Sequence, residues 1–237
     1  MSLLLGLDGC RGGWMLACWR PDEGLTFQLS PVWPAALVAG AAEVAVDMPI
    51  GLPDGGRRGC DLAARAALPH GAKSRVFIDL RRPLLGFADY PAANAWAKAE
   101  GHGLSKQAWF LLPKIAEIDR QLAPADQARV VEGHPELVLH HLNGGRLLAN
   151  KTTAEGRARR LALLADAGLD GLAPWLARFP RAQAKPDDVI DAAACLLIAR
   201  RRQAGTAIRL PATPARDAPA RDAPARDSRG LRMEVWY

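Results

Sequence analysis

Cysteine is scarce and scattered in this chain. Cys10, Cys18, Cys60 and Cys195 include no Cys-x-x-Cys pair and have no histidine-rich partner at zinc-finger spacing, which argues against both a disulfide framework and a structural zinc site. Long apolar runs are missing too. A membrane span needs roughly 18 to 20 uncharged residues, and no stretch comes near that length. Asp8 and Arg11 interrupt the first apolar stretch too early for a signal peptide. These absences lead to the expectation of a cytoplasmic protein with no membrane association.

The 237 residues are enough to bury a sizeable core and are read as one domain. A hydrophobic fraction of 49% and a charged fraction of 24% are those of a globular chain. Net charge is +6, with arginines grouped at Arg57-Arg58, Arg81-Arg82, Arg157-Arg159-Arg160 and Arg200-Arg201-Arg202. Such an excess favours a polyanionic partner.

Residues 3–8, 14–20 and 25–30 read as three short strands joined by the turn sequences "CRGG" and "PDEG", which predicts an antiparallel meander. "WPAALVAGA" follows as a short helix. "EVAVDM" then has the continuous apolar character of a strand buried on both faces. Residues 48–104 read as a large insertion. Ser105 is a suitable N-cap for a helix to about Leu122, with Pro113 expected to bend or break it. A short strand ends near Glu132, and Glu136 lies in the first turn of the next helix. Thr152 or Thr153 caps a further helix stopped by Gly168, and "KPDDVIDAAACLLIARRRQAG" is a strongly apolar helix ending at Gly205. The thrice-repeated "PARDA" unit, within residues 212–228, has too little complexity to bury anything and predicts a mobile, extended loop. "LRMEVWY" alternates as a terminal strand.

Several acids stand out. Asp8 has two readings, because Asp-Gly is a favoured hairpin dipeptide while Arg11-Gly12-Gly13 is a competing turn that would leave Asp8 free near a strand end. Asp47 ends an apolar central strand, where open α/β sheets place their ligands, although it could also accept hydrogen bonds from the "MPIG" turn. Asp187 and Asp188 are explained as first-turn helix acids. Asp191 is not, because its helical neighbours are core-like and an unpaired buried carboxylate is costly. Asp188 and Asp191, spaced i, i+3, could share a cation; a salt bridge to an arginine is the alternative. Glu132 and Glu136 flank His134-Pro135, whose spacing is not that of a metal-ligand set. Cys10 and Cys60 read as inert buried thiols.

Taken in order, "GLDGCRGGW", "DMPIGLP", "RGCDLAAR", "KIAEID", "EGHPEL" and "PDDVIDA" resemble the hallmarks of the domain of unknown function 429 family, described as predicted RNase H-like nucleases. The resemblance runs from Gly6 to Ala192. It implies an RNase H-like α/β fold, a mixed five-stranded sheet of three antiparallel and two parallel strands flanked by helices, with a helical and loop insertion after the fourth strand. It also implies acids from the first strand, the end of the fourth strand and the last helix: Asp8, Asp47, and Asp188 with Asp191, the last helix being similar also to that of Holliday-junction resolvases. Glu132 or Glu136 would be an auxiliary acid.

Phosphodiester hydrolysis by such a set uses two divalent ions about 3.5 to 4 Å apart. Hard carboxylate oxygens suit Mg²⁺ or Mn²⁺. On this expectation Asp8 bridges two ions, Asp47 and Asp188/Asp191 complete the sites, and Arg57, Arg58, Arg81 and Arg82 position phosphates of DNA or RNA, with Lys114 as a further charge-stabilising candidate. The competing expectation is a nucleotide- or phosphate-binding protein, or a non-catalytic nucleic-acid binder, on the same scaffold. The glycine-rich "GLDGCRGG" would then hold phosphates, as in sugar kinases and actin-like ATPases, but no second glycine-rich loop is placed to complete an ATP site.

Overall fold

The computed structural model describes residues 2–212 and 225–237. The meander forms as β1 (Leu4–Cys10), β2 (Gly13–Arg20) and β3 (Gly24–Ser30). The first turn is the two-residue loop Arg11-Gly12, since Cys10 pairs with Gly13. Gly13 has a φ of +127°, and a Cβ there would lie 2.0 Å from the Ser30 carbonyl oxygen, so only glycine closes this hairpin. Asp8 is therefore a strand residue and not a turn residue.

A short helix, α1 (Ala35–Gly40), leads into β4 (Glu43–Asp47), which runs parallel to β1 with Asp8 opposite Asp47. β5 (Val130–Glu132) adds parallel to β4, giving the order β3-β2-β1-β4-β5. This is the mixed five-stranded α/β arrangement expected of an RNase H-like fold. Between β4 and β5 lie α2 (Gly59–Ala67), 3-10 turns at His70–Arg75 and Arg82–Gly86, α3 (Tyr90–Ala99) and α4 (Lys106–Gln121). The Ser105 hydroxyl caps α4 by accepting the Ala108 amide at 3.1 Å. Pro113 sits inside α4 without dividing it, so the expected break does not occur.

After β5 come α5 (Pro135–Leu142), α6 (Ala154–Asp166) and α7 (Pro186–Gln203). Strand alternation sorts the core. Leu5, Leu7, Val44, Val46 and Val130 face the layer holding α1, α3 and α4, while Leu4, Ala45 and Val131 face α5, α6 and α7. At Gly6 an added Cβ would come within 2.1 Å of Ala192 O and Leu196 N, so α7 lies directly on β1 through the missing side chain. That close approach sets where the acids of α7 stand relative to Asp8.

Two expectations at the C-terminus are corrected. The terminal strand is only β7 (Val235–Trp236), paired with β6 (Arg209–Leu210) in a separate two-stranded ladder. Residues 225–228 do not belong to an extended loop either. Asp227 is buried and accepts the amides of Leu52, Arg229 and Leu231 and the guanidinium of Arg82. Residues 213–224, which hold the first two units of the repeat, lie outside the described residues. Among the described residues no helix is long and apolar enough to cross a membrane.

Candidate active site

Parallel register puts Asp8 and Asp47 side by side on neighbouring strands, about 4.8 Å apart in the hydrogen-bonding direction. Pleat alternation turns both toward α7, on the side of Leu4 and Ala45. α7 brings Asp188 and, one turn further in, Asp191 to the same cleft, which has a volume of about 680 Å³. Phe77, Phe110 and Leu111 form an apolar wall of this cleft, with Phe110 prominently exposed. Three of the sequence-predicted acids thus come together from three elements, and a fourth stands beside them.

Their partners differ. Asp188 Oδ2 accepts the Lys185 amide at 2.7 Å, the ordinary duty of a first-turn acid. Asp191 Oδ2 takes the Lys151 ammonium at 2.6 Å, and Asp187 lies 3.7 Å from the same nitrogen. The cation that α7 shares is therefore a lysine, bridging Asp187 and Asp191, and not one of the arginines. Asp191 Oδ1 is buried without a hydrogen-bond partner among the described residues. Asp8 and Asp47 accept no hydrogen bond from a protein donor among the described residues.

Like charges at such spacing resist ionisation. Asp8 is pushed well above the usual carboxylate range by burial, then by Asp47, Asp191 and Asp188, with Lys151 opposing. Burial, helped by Asp191, raises Asp47 to about 8. Burial raises Asp188 to about 6 and also raises Asp191, against the pull of Lys151. The cluster has more carboxyl groups than Lys151 could neutralise once they ionise, and its free donors are hard oxygens. That donor set fits Mg²⁺ or Mn²⁺, for which Asp8, Asp47 and Asp191 are the candidate ligands. Among the described residues, no three His, Cys, Asp or Glu side chains form a ready-made metal-binding group. Mg²⁺ is commonly held by one or two carboxylates with water and substrate phosphates completing its shell.

The auxiliary acids are occupied. Glu132 and Glu136 line the same cleft and add to the charge that raises Asp47, although Glu132 follows Val131 on β5 and so stands on the opposite face of the pleat from Asp8 and Asp47. Glu132 is held by Arg58 and by the Ile50 amide at 2.8 Å. Burial, resisted by Arg58, lifts Glu132 to about 7. Glu136 is paired with Arg160 at 2.8 Å and with Arg75 at 2.5 Å. Burial pushes Glu136 up, but Arg160 and Arg75 outweigh it and hold the carboxyl below the usual range. His134 lines the cleft, with burial pushing it down to about 4, so it is neutral at physiological pH.

The phosphate-binding arginines expected from the sequence need correction. Arg58 is buried on Glu132 and Asp61, and Arg81 is buried on the carbonyls of Ala97, Glu100 and His102, so neither is within reach of a phosphate. Arg82 is spent on Asp119 and Asp227, and Arg57 pairs with Asp79. Lys114 pairs with Glu117 and lies over the Trp14 ring, away from the lining of the cleft. Among the described residues the cations that do line it are Arg75, Lys151 and Lys185, none of which the sequence singles out. Cys10 is held protonated, its thiol pushed up to about 11 by burial and the nearby acids, in keeping with an inert role.

The raised carboxyls make a prediction for the metal-free protein. The unfolded chain loses these protons near pH 4, whereas the folded state keeps those of Asp47 and Glu132 to about 8 and 7. The folded state binds the extra protons, so its stability falls as pH rises through the folded values. His134 and Glu136 carry the opposite sign, but they act below about pH 6.5. Between about pH 6.5 and 8.5 in the presence of a chelator, Asp47 alone should cost about 2 kcal/mol, roughly 4–8 °C in Tm. Scanning calorimetry checks this, and Asp47→Asn should flatten the slope. A Tm that holds or rises over this window contradicts it.

No match to the chain is found among curated proteins or solved structures. A family model described as protein of unknown function (DUF429) matches residues 6–216, which contain every acid of the cleft. The chain belongs to the DUF429 family.

Proposed function

We propose that this protein is a divalent-metal-dependent nuclease that hydrolyses phosphodiester bonds of nucleic acid. The observation that carries the reading is the meeting of Asp8, Asp47 and Asp191 in a solvent-reached cleft where, among the described residues, two carboxylates have no protein donor and the third has a buried, unpartnered oxygen. A bound Mg²⁺ or Mn²⁺ would stabilise negative charge on the phosphoryl group and lower the pKa of an attacking water. In the overall reaction water adds its oxygen to phosphorus, the phosphorus–oxygen ester bond breaks, and the leaving oxygen acquires a proton. The chain's own parts are binding and orientation. Asp8 and Asp47 would hold the cation, Lys185 would offer charge to a flanking phosphate, and Phe77, Phe110 and Leu111 would give the substrate an apolar surface to lie against.

The test is cleavage of single- and double-stranded DNA and RNA by purified protein. Turnover should require Mg²⁺ or Mn²⁺ and stop with chelator. Absence of cleavage of all four substrates, together with thermal stabilisation by ATP-Mg²⁺ and none by Mn²⁺ alone, would turn the reading toward nucleotide binding on this scaffold.

A further inference from the structure

We infer that the Lys151 ammonium stands in place of a second divalent ion, so that the protein captures one ion at Asp8 and Asp47 rather than a pair. The inference rests on the metal-dependent reading above and alters the two-ion expectation drawn from the sequence.

The position of Lys151 carries it. Its ammonium is 2.6 Å from Asp191 Oδ2 and 3.7 Å from Asp187 Oδ2, occupying the carboxylate pair that α7 offers to a cation. The Lys151 side chain is partly exposed, but the backbone that delivers it is held in place. On one side, Asn150 Oδ1 accepts from the Thr152 amide at 3.1 Å and from its hydroxyl at 3.2 Å. On the other, the Thr153 hydroxyl donates to Asn150 O at 2.8 Å and accepts the Gly156 amide at 3.0 Å. A Cβ at Gly156 would come within 2.1 Å of Asn150 O, so α6 closes directly against the backbone preceding Lys151. The Ala149 carbonyl accepts from Arg160, which is itself fully buried on Glu136. The loop is therefore fixed from both directions, and the lysine is delivered to Asp191.

Charge leads to the same conclusion. Lys151 bonds Asp191 directly, whereas it acts on Asp8 and Asp47 only at longer range, and among the described residues no protein donor bonds either of them. A second divalent ion at Asp191 would have to break the 2.6 Å pair with Lys151, while one ion between Asp8 and Asp47 breaks no bond to a protein donor among the described residues. Lys151 then presents a fixed positive charge to the phosphoryl group from the α7 side.

Manganese binding to the full chain tests this by titration calorimetry and electron paramagnetic resonance. Wild type should bind one Mn²⁺ with the spectrum of an isolated ion. Lys151→Met should bind two, with the broadened spectrum of a coupled pair, and Lys151→Arg, which keeps the charge, should return to one. The wild-type stoichiometry is informative even if a variant folds poorly. Two ions in wild type, or one in a folded Lys151→Met, overturns the inference and leaves the metal-dependent reading standing. No Mn²⁺ in any of the three overturns both.

Discussion

Asp8→Asn is expected to lower phosphodiester cleavage by at least about 10³-fold while leaving the fold intact. Asn is nearly the same size, and Asp8 accepts no hydrogen bond from a protein donor among the described residues, so the substitution removes charge without removing a structural contact. What it removes from the reaction is a cation ligand. Metal stabilisation of the transition state amounts to several kcal/mol, and about 1.4 kcal/mol corresponds to a factor of ten. Burial and Asp47 make the Asp8 carboxylate costly to ionise, so the metal-free variant should melt no lower than wild type at pH 8 and should be less sensitive to pH. Gel-based cleavage with matched calorimetry reads both. A variant that cuts at the wild-type rate, after exclusion of contaminating nuclease, removes Asp8 from the mechanism; one that is inactive because it is unfolded shows up in the melting curve.

Arg160→Met is expected to be the most destabilising single change near the site. Arg160 is fully buried, its guanidinium donating to both Glu136 oxygens and to the carbonyls of Ala149 and Gly156. Removing one partner of a buried ion pair leaves the other charge uncompensated, at about 3–5 kcal/mol. For a chain of this size that is roughly 10 °C in Tm or more. Arg75 still reaches Glu136, which limits the loss, but nothing on Arg75 replaces the bond to Ala149. The loop carrying Lys151 should consequently gain hydrogen exchange over residues 147–153. A Tm within about 2 °C of wild type would show that the Glu136 pair with Arg75 suffices.

Much of this arrangement could be read before any coordinates. The meander follows from alternation and turn chemistry, and β4 and α7 follow from unbroken apolar runs. Asp8 and Asp47 meet because both fall near the carboxyl ends of adjacent parallel strands, and Asp191 meets them because its i, i+3 and i, i+4 neighbours are core residues. The choice between the two turns at Asp8 lay beyond local propensity. It is settled by Gly13, whose place against the Ser30 carbonyl admits no side chain.

Lys151 was not legible. It sits in a polar turn without periodicity, 40 residues from Asp191, and a lysine in such a turn ordinarily points into water. Arg58 and Arg81 show the converse problem. A paired arginine beside glycines or prolines looks like a phosphate clamp in sequence, and only the tertiary packing reveals that these two guanidinium groups face inward. Asp227, in the last unit of a low-complexity repeat, carries no signal of the four donors that converge on it.

The central claim is that Asp8 and Asp47 together capture a hard cation, and the most direct measurement is the thermal shift produced by Mn²⁺ at pH 8. An ion present at 100 times its Kd should stabilise wild type by about 2.7 kcal/mol, roughly 5–10 °C, and should leave the Asp8→Asn, Asp47→Asn double variant unmoved. A wild type that does not shift, or a double variant that shifts equally, would contradict the account.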